Sequence, residues 1–318
     1  MTSTDTLPAA SSLKIDKHAL TVQLFGEPLT STMNKYTREN VRQDLDASGV
    51  ILMLAHGLGF SGIQNENVFV RSPERLTIWD YAEAFAELYK SGLLGQLDPK
   101  KHKVVLCGHS VGSVAVVLAT SFFNPSSRLP FSSLILVDPP IWSKKWHGKD
   151  NEFYKMVEQM TPTRRDIWMN RREASEWLQS KIARAWDKRV FAKYVEHGVR
   201  LLPTAFYPDR QGATLTTHRL AESFCYGKAA KFFVYEALDR LNQICAYVPV
   251  HLVYGNRNDM FDREPQNSLV NVEDGRSFAS IRRIGGVGHL IPQEKPAELA
   301  EEIFGILYAQ ELKPSFKL

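Results

Sequence analysis

Four short runs of apolar residues, each ending at a glycine or a turn, constrain the fold of this chain more than any other feature. None of them strictly alternates apolar with polar side chains, which is typical of strands buried on both faces of a parallel sheet. Amphipathic helical stretches follow two of them, at 78–93 and 113–123. Strands alternating with helices predict an α/β fold, a mostly parallel sheet with helices on both faces. The four runs are 50–55, 103–108, 133–137 and 248–255.

The composition is that of a globular protein. Of 318 residues, 44% are hydrophobic and 23% are charged, which excludes a disordered or fibrous chain. The net charge of +4 is too small to indicate a nucleic-acid partner. No apolar run approaches the roughly 20 residues of a membrane helix, and no secretory signal is recognisable. Three cysteines favour a reducing compartment over a disulfide scaffold, so we expect a soluble intracellular protein.

Between residues 141 and 247 the alternation of strands and helices stops. Five of the six tryptophans lie in this stretch, and helical patterns follow one another without a convincing buried strand. We predict a loose tail at 1–12, two parts of the core at 13–140 and 248–318, and a helical cap inserted at 141–247. Further predicted elements are an outer strand at 19–25, cap helices at 151–159, 172–186, 190–200 and 228–241, a strand at 280–284 and a closing helix at 296–310.

The segment 108–112, Gly-His-Ser-Val-Gly, carries the strongest functional signal. It follows a predicted buried strand and precedes a helix, which is the context of a G-x-S-x-G nucleophile elbow. Ser110 is the candidate nucleophile, and the helix N-terminus behind it supplies free N–H groups for a developing oxyanion. The predicted oxyanion donors are the backbone N–H groups of Val111 and, from the glycine-containing loop 56–59, of Leu58.

A base and an acid must accompany this serine. His289 lies in the glycine-rich loop 285–292, which can deliver an imidazole to the serine in the expected chain order. Asp138 follows the strand 133–137, and Asp259 lies four residues beyond Gly255. Both aspartates fall at the carboxyl edge of the sheet, so either could receive the imidazole N–H. We prefer Asp138 by a narrow margin, and expect His56 and His109 to shape their turns.

These motifs resemble those of the α/β-hydrolase superfamily, in the same order along the chain. More narrowly, the chain resembles a fungal group that includes peroxisomal lipases, toxin-biosynthesis hydrolases and acyl-CoA hydrolases. The resemblance implies the α/β-hydrolase fold and a serine, histidine and acid triad. Most superfamily members place the acid three residues beyond the glycine, where this chain has Asn258, whereas the acyl-CoA hydrolases use the earlier Asp-Pro position of Asp138. The motifs are 56–57, 108–112, 136–140 and 286–289, with 165–168, 172–174 and 186–189 in the cap.

The chain departs from this family between His56 and Ser110. The family has a helix, a strand and a second helix in this interval, and 78–93 supplies only the second helix. A βα repeat takes about 30 residues, more than the stretch 57–77 can hold. We therefore expect one helix and one strand after the 56–59 loop to be missing. Such a deletion affects the loop of Leu58 and spares the candidate triad.

Two features bear on substrate and compartment. Residues 141–200 hold 14 Lys plus Arg against 8 Asp plus Glu. A basic cap suits an acyl group joined to a phosphate-bearing carrier such as coenzyme A, although a solvated helical face explains the same charges. The C-terminal residues 316–318, Phe-Lys-Leu, match a peroxisomal S-K-L signal at two positions. Peroxisomal and cytoplasmic residence are both open.

Two functions follow as alternatives. The first is a serine hydrolase that cleaves carboxylic ester or thioester bonds of a small acyl substrate through an acyl-enzyme. The second is a catalytically impaired, shortened member that binds a ligand or partner through the cap. A serine at the elbow argues against dehalogenases and epoxide hydrolases, which need a carboxylate there. No His, Cys and Asp cluster has metal-ligand spacing, so we expect no metal or cofactor. The oligomeric state stays open.

Overall fold

The computed structural model describes residues 11–15, 18–22, 49–56, 77–91, 94, 97–146, 156, 159–224, 230–271 and 274–312. A hairpin of β1 (Ser11–Ile15) and β2 (His18–Val22) comes first. The first part of the core follows, with β3 (Gly49–Ala55), α1 (Ile78–Lys90), β4 (His102–His109), α2 (Val111–Ala119) and β5 (Ser133–Val137). Within these described ranges, no helix is long and apolar enough to cross a membrane.

We call residues 141–247 the cap. It contains β6 (Ile167–Trp168), α3 (Arg171–Lys181), α4 (Lys188–Gly198), β7 (Val199–Leu201), β8 (Ala213–Leu215), α5 (Arg219–Phe224) and α6 (Ala230–Ile244). The chain then returns to the core with β9 (Val250–Gly255), α7 (Arg263–Leu269), β10 (Ser280–Ile284), α8 (Ile291–Glu294) and α9 (Pro296–Leu312).

Among the described residues, the central sheet has five parallel strands in the order β10, β9, β5, β4 and β3. Side chains alternate between its two faces, and helices cover both faces, so β4, β5 and β9 are buried along almost their whole length. The edge strand β10, Ser-Ile-Arg-Arg-Ile, is partly exposed. Leu106 and Leu136 pack with residues of α1, α2 and α6 on one face. Cys107 and Val137 pack with residues of α9 on the other. This arrangement confirms the predicted α/β fold class, and all five strands end at the same edge.

The cap differs from the prediction of helices alone. It contains a three-stranded antiparallel sheet in the order β6, β8 and β7, in which Ala213 pairs with both Trp168 and Leu201. The helix expected at 190–200 ends at Gly198, because β-branched Val199 begins a strand. These strands have two or three residues, too few to produce a detectable period of two. The predicted helix 151–159 lies mostly outside the described residues.

Two further expectations concern the N-terminal part of the core. The outer strand predicted at 19–25 is present as β2, but it pairs with β1 in a separate two-stranded sheet. The expected absence of one helix and one strand concerns 57–77, and all of that stretch except Thr77 lies outside the described residues. The described part of the connection from β3 to β4 contains one helix, α1, and β3 pairs directly with β4.

Candidate active site

Ser110 sits on a sharp turn between β4 and α2, with an unusual backbone. Its φ of 55° and ψ of −128° place it in a region that non-glycine residues avoid at a cost of about 1–3 kcal/mol. Glycines on either side permit the turn. A Cβ on Gly108 would collide with the backbone of Gly112, and a Cβ on Gly112 would collide with the carbonyl oxygen of Ala55. Backbone packing therefore requires the two glycines, Gly108 and Gly112, of the Gly-His-Ser-Val-Gly segment.

Asp138 is the second residue with a strained backbone. With a φ of 43°, it and Ser110 are the two non-glycine residues of positive φ in the described ranges. Each is anchored to the next strand: Ser110 N–H donates to the carbonyl oxygen of Val137 (2.9 Å), and Asp138 N–H donates to that of Val253 (2.8 Å). Strain of this kind is concentrated at functional sites.

The structure brings Ser110, His289 and Asp138 into one hydrogen-bonded chain. The Nδ1 atom of His289 lies 2.5 Å from Oδ2 of Asp138, and its Nε2 atom lies 2.9 Å from Oγ of Ser110. A carboxylate can only accept, so the Nδ1–H group donates to Asp138, and Nε2 of the neutral imidazole is left to accept from the serine hydroxyl. His289 and Asp138 are almost fully buried, while Ser110 is partly exposed.

The other oxygen of the Asp138 carboxylate is held from behind. The amide Nε2–H group of Gln266, in α7, donates to Asp138 Oδ1 at 3.4 Å. Arg283, in β10, donates to the Oε1 atom of Gln266 (3.1 Å) and lies over the ring of Tyr254 (4.8 Å). Because arginine can only donate, it fixes which end of the Gln266 amide faces the carboxylate.

Asp259, the other candidate acid, contacts the main chain of His289 and not its ring. Its Oδ1 atom accepts from the backbone N–H of His289 at 2.9 Å. Its Oδ2 atom pairs with Arg257 at 3.0 Å, and Arg257 in turn pairs with Glu294 at 2.9 Å. The carboxylate that orients the imidazole in this structure is therefore that of Asp138.

His109, inside the elbow, holds the carbonyl group of His289. Its Nε2–H group donates to that carbonyl oxygen at 2.8 Å, and the two rings lie 5.0 Å apart. Burial, and to a smaller extent repulsion from the neighbouring His289 imidazole, lowers the pKa of His109 from 6.5 to about 3. His109 is thus a neutral hydrogen-bond donor at ordinary pH, in line with the structural role expected for it.

One predicted oxyanion donor can be placed and the other cannot. Val111 is the first residue of α2, where a backbone N–H has no acceptor within the helix. Leu58 lies outside the described residues. His56, two residues before Leu58, is described, and its carbonyl oxygen accepts from the hydroxyl of Tyr81 at 3.4 Å. Burial raises the pKa of Tyr81, so this hydroxyl stays protonated and able to donate.

Aromatic residues from both core and cap pack beside His289. Phe261, in the loop after β9, meets the imidazole edge to face at a centroid distance of 5.0 Å. Trp142 lies 5.4 Å from Phe261, and Trp146 and Val234 complete the cluster from the cap. The site therefore has an apolar wall, to which the cap contributes.

Six of the basic side chains in residues 141–200 form ion pairs in the described part of the cap. Arg164 and Glu222 form a doubly hydrogen-bonded pair in which Glu222 is mostly buried. The other described pairs involving basic residues of 141–200 are Lys144–Asp239, Arg165–Glu173, Arg172–Glu176, Arg189–Asp187 and Lys193–Glu196. Such pairing favours the interpretation of these charges as a solvated surface over a site for a phosphate-bearing carrier.

Three residues at the site had no signal in the sequence. Gln266 and Arg283 lie in an ordinary helix and strand, and only the fold brings them behind Asp138. Phe261 is an aromatic residue in a polar loop, a pattern too common to carry meaning. In the described parts of the chain, no three His, Cys, Asp or Glu side chains are placed to hold a metal ion.

Comparison with known proteins identifies the family of the chain. The chain belongs to the alpha/beta hydrolase family, whose model matches residues 39–302. No curated protein matches the sequence. The fold is similar to that of the peroxisomal α/β-hydrolase Lpx1 of Saccharomyces cerevisiae, with a TM-score of 0.66 and 15% identity over 86% of this chain and 80% of that one.

Two further solved structures share the fold over nearly the whole chain. They are E-2-(acetamidomethylene)succinate hydrolase (TM-score 0.66, 13% identity, 94% of this chain and 99% of that one) and the thioesterase domain from the curacin biosynthetic pathway (0.59, 15%, 93% and 98%). At such identities, these similarities show the fold alone.

Proposed function

We propose that this protein is a serine hydrolase that cleaves carboxylic ester or thioester bonds through an acyl-enzyme. The observation that carries the proposal is the chain from Ser110 through His289 to Asp138, with distances of 2.9 and 2.5 Å. A nucleophile, its base and the group that orients the base are the three parts that such catalysis needs.

In this mechanism, the Ser110 Oγ atom bonds to the substrate carbonyl carbon while its proton moves to Nε2 of His289. The tetrahedral intermediate collapses as the imidazolium returns that proton to the leaving alkoxide or thiolate. Water then gives a proton to the same imidazole and attacks the acyl-enzyme. The second tetrahedral intermediate collapses as the imidazolium returns this proton to Oγ of Ser110, which releases the carboxylic acid. Asp138 keeps the Nδ1 proton in place and stabilises the transient imidazolium, and the N–H of Val111 faces the oxyanion.

The class of substrate follows from the apolar wall and the cap charges. Phe261 is partly exposed beside the imidazole and is backed by the buried Trp142, so it offers an apolar surface for an acyl chain. The paired basic residues of the cap give no specific support to a coenzyme A carrier, so a simple acyl ester is the first substrate to test. The peroxisomal signal at 316–318 lies outside the described residues, and peroxisomal or cytoplasmic residence stays a prediction.

The experiment is labelling with a fluorophosphonate probe and turnover of a p-nitrophenyl ester. Ser110→Ala should abolish labelling and lower kcat about 10⁶-fold, as the loss of a triad serine does elsewhere. Ser180→Ala is the matched control, because Ser180 lies exposed on α3, and it should behave as the wild type. Labelling that survives in Ser110→Ala refutes the assignment, and folded wild type without an acyl-enzyme burst supports the impaired binding protein instead.

A further inference from the structure

Two carboxylates reach His289, and the proposed mechanism uses only one of them. Asp138 binds the ring, whereas Asp259 binds the backbone N–H of the same residue. His109 binds its carbonyl oxygen. The main-chain donor, the main-chain acceptor and the ring of His289 are thus each held by a side chain from a different segment.

The contact of Asp259 is one of a series of hydrogen bonds that continues the pairing of β9 with β10 beyond the ends of these strands. Each hydrogen bond of this series is called a rung below. Asn256 Oδ1 accepts from Gly286 N–H at 2.9 Å, and Arg257 N–H donates to the carbonyl oxygen of Val287 at 2.9 Å. Asp259 Oδ1 and His289 N–H form the next rung. The histidine loop is therefore tied to the loop after β9 along its length, and the rung at His289 depends on a side chain.

The carboxylate of Asp259 is held in place by charge and by space. Arg257 binds its Oδ2 atom through Nη2 (3.0 Å) and Nε (3.3 Å). Arg257 is itself held by both oxygens of Glu294, at 3.1 and 2.9 Å. A Cβ on Gly288 would collide with the Asp259 carboxyl group, so the glycine leaves the space that this group fills.

From these contacts we infer that Asp259 is a positioning residue, which sets the angle at which His289 meets Ser110 without touching the imidazole. This inference rests on the proposed serine hydrolase function. A misplacement of about 1 Å at a reacting group can lower turnover about 10²-fold. Loss of this hydrogen bond frees the His289 main chain to shift, while the apolar substrate surface at Phe261 is unchanged.

The test compares Asp259→Ala with Asp259→Asn. Alanine removes the acceptor, so kcat should fall about 10²-fold with KM within about twofold. Asparagine keeps one oxygen that can accept from His289 N–H, but its NH₂ group then faces the Arg257 guanidinium, which can only donate, so it should recover part of the lost kcat. The acidic limb of kcat/KM should keep its apparent pKa in both variants, because Asp259 contacts the main chain and its charge is paired with Arg257.

A second variant covers the case in which Asp259→Ala does not fold. Arg257→Gln removes the ion pair but leaves the Asp259 acceptor, so its kcat should fall below that of the wild type, by less than the roughly 10²-fold loss expected for Asp259→Ala. Wild-type kcat in folded Arg257→Gln would contradict the inference. Far-UV circular dichroism and urea midpoints establish that each variant is folded.

Two further results would overturn the inference. Wild-type kcat in folded Asp259→Ala means that the rung has no effect on turnover. A kcat of Asp259→Asn as low as that of Asp259→Ala, with a shifted acidic limb, means that Asp259 acts on the imidazole through its charge. Failure of the proposed function is a separate result, since it appears as equal labelling of the wild type and Ser110→Ala.

Discussion

Replacement of Asp138 by asparagine gives the sharpest test of how the imidazole is oriented. Gln266 presents its amide N–H to the Oδ1 position of residue 138, because Arg283 occupies the Oε1 atom of Gln266. The asparagine oxygen must therefore face Gln266, and its NH₂ group faces Nδ1 of His289. Nδ1 then becomes the acceptor and the proton moves to Nε2, which can no longer accept from Ser110.

The expected loss is that of a wrong tautomer in an otherwise intact site, about 10⁴-fold in kcat. At 1.36 kcal/mol per factor of ten, this corresponds to about 5.4 kcal/mol of transition-state stabilisation. The assay is hydrolysis of a p-nitrophenyl ester, with the rate of fluorophosphonate labelling as a measure of acylation alone. Asp259→Asn is the matched control, because it is the same chemical change on the other carboxylate, and it should lose far less activity than Asp138→Asn.

Asp138 is not the orienting acid if these two variants exchange their behaviour. A 10⁴-fold loss in Asp259→Asn with near-wild-type activity in Asp138→Asn would identify Asp259 as the orienting acid. It would also mean that the 2.5 Å contact between His289 and Asp138 has no role in turnover. Equal, small losses in both variants would show that the tautomer of His289 is not set by a carboxylate.

Two further predictions concern stability, measured by urea denaturation. Gly112→Ala places a Cβ against the carbonyl oxygen of Ala55 and should lower the free energy of unfolding by about 3 kcal/mol. Gly285→Ala is the control: the space around Gly285 is open, so the free energy of unfolding should change by less than about 0.5 kcal/mol. Equal effects of the two substitutions would contradict the close packing at Gly112. The pKa of His109 is about 3 when folded and near 6.5 when unfolded, so the unfolded chain binds more protons between these values, and this contribution to stability is lost as the pH falls below 6.5. The loss of stability from this cause amounts to about 2 kcal/mol between pH 7 and 5. His109→Gln keeps an N–H donor but does not titrate, so its free energy of unfolding should fall by about 2 kcal/mol less than that of the wild type over this interval. Parallel pH profiles of the two proteins would refute the low pKa of His109.

The strands of the core were predictable because they are buried on both faces. The run 133–137 matches β5 residue for residue, since four successive apolar side chains, at 134–137, suit a strand covered by helices on both faces. Ser110 and His289 were found for a different reason: an elbow and a glycine-rich loop need glycine at fixed positions. Their hydrogen bond, by contrast, depends on the sheet order, which the sequence does not state.

The choice between the two aspartates could not be made from the sequence. Asp138 and Asp259 both follow strands that end at the same edge of the sheet, so both are near the histidine loop. Which of them reaches the ring depends on the φ of 43° at Asp138, a backbone bend for which the following prolines gave no decisive signal. The small cap sheet could not be predicted, because a strand as short as Ile167–Trp168, with two residues, shows no alternating pattern.

The separation of the candidate site along the chain has a consequence for biosynthesis. Ser110 and His289 are 179 positions apart, and His289 and Asp138 are 151 apart, so every contact of the triad is long-range. Contacts of this kind form late, after the entropy of closing a long loop has been overcome. A ribosome-bound chain that has emerged only as far as β9 holds the nucleophile without its base. Covalent reaction with the fluorophosphonate probe should therefore begin only when the last strand joins the sheet, which makes it a direct readout of completed folding.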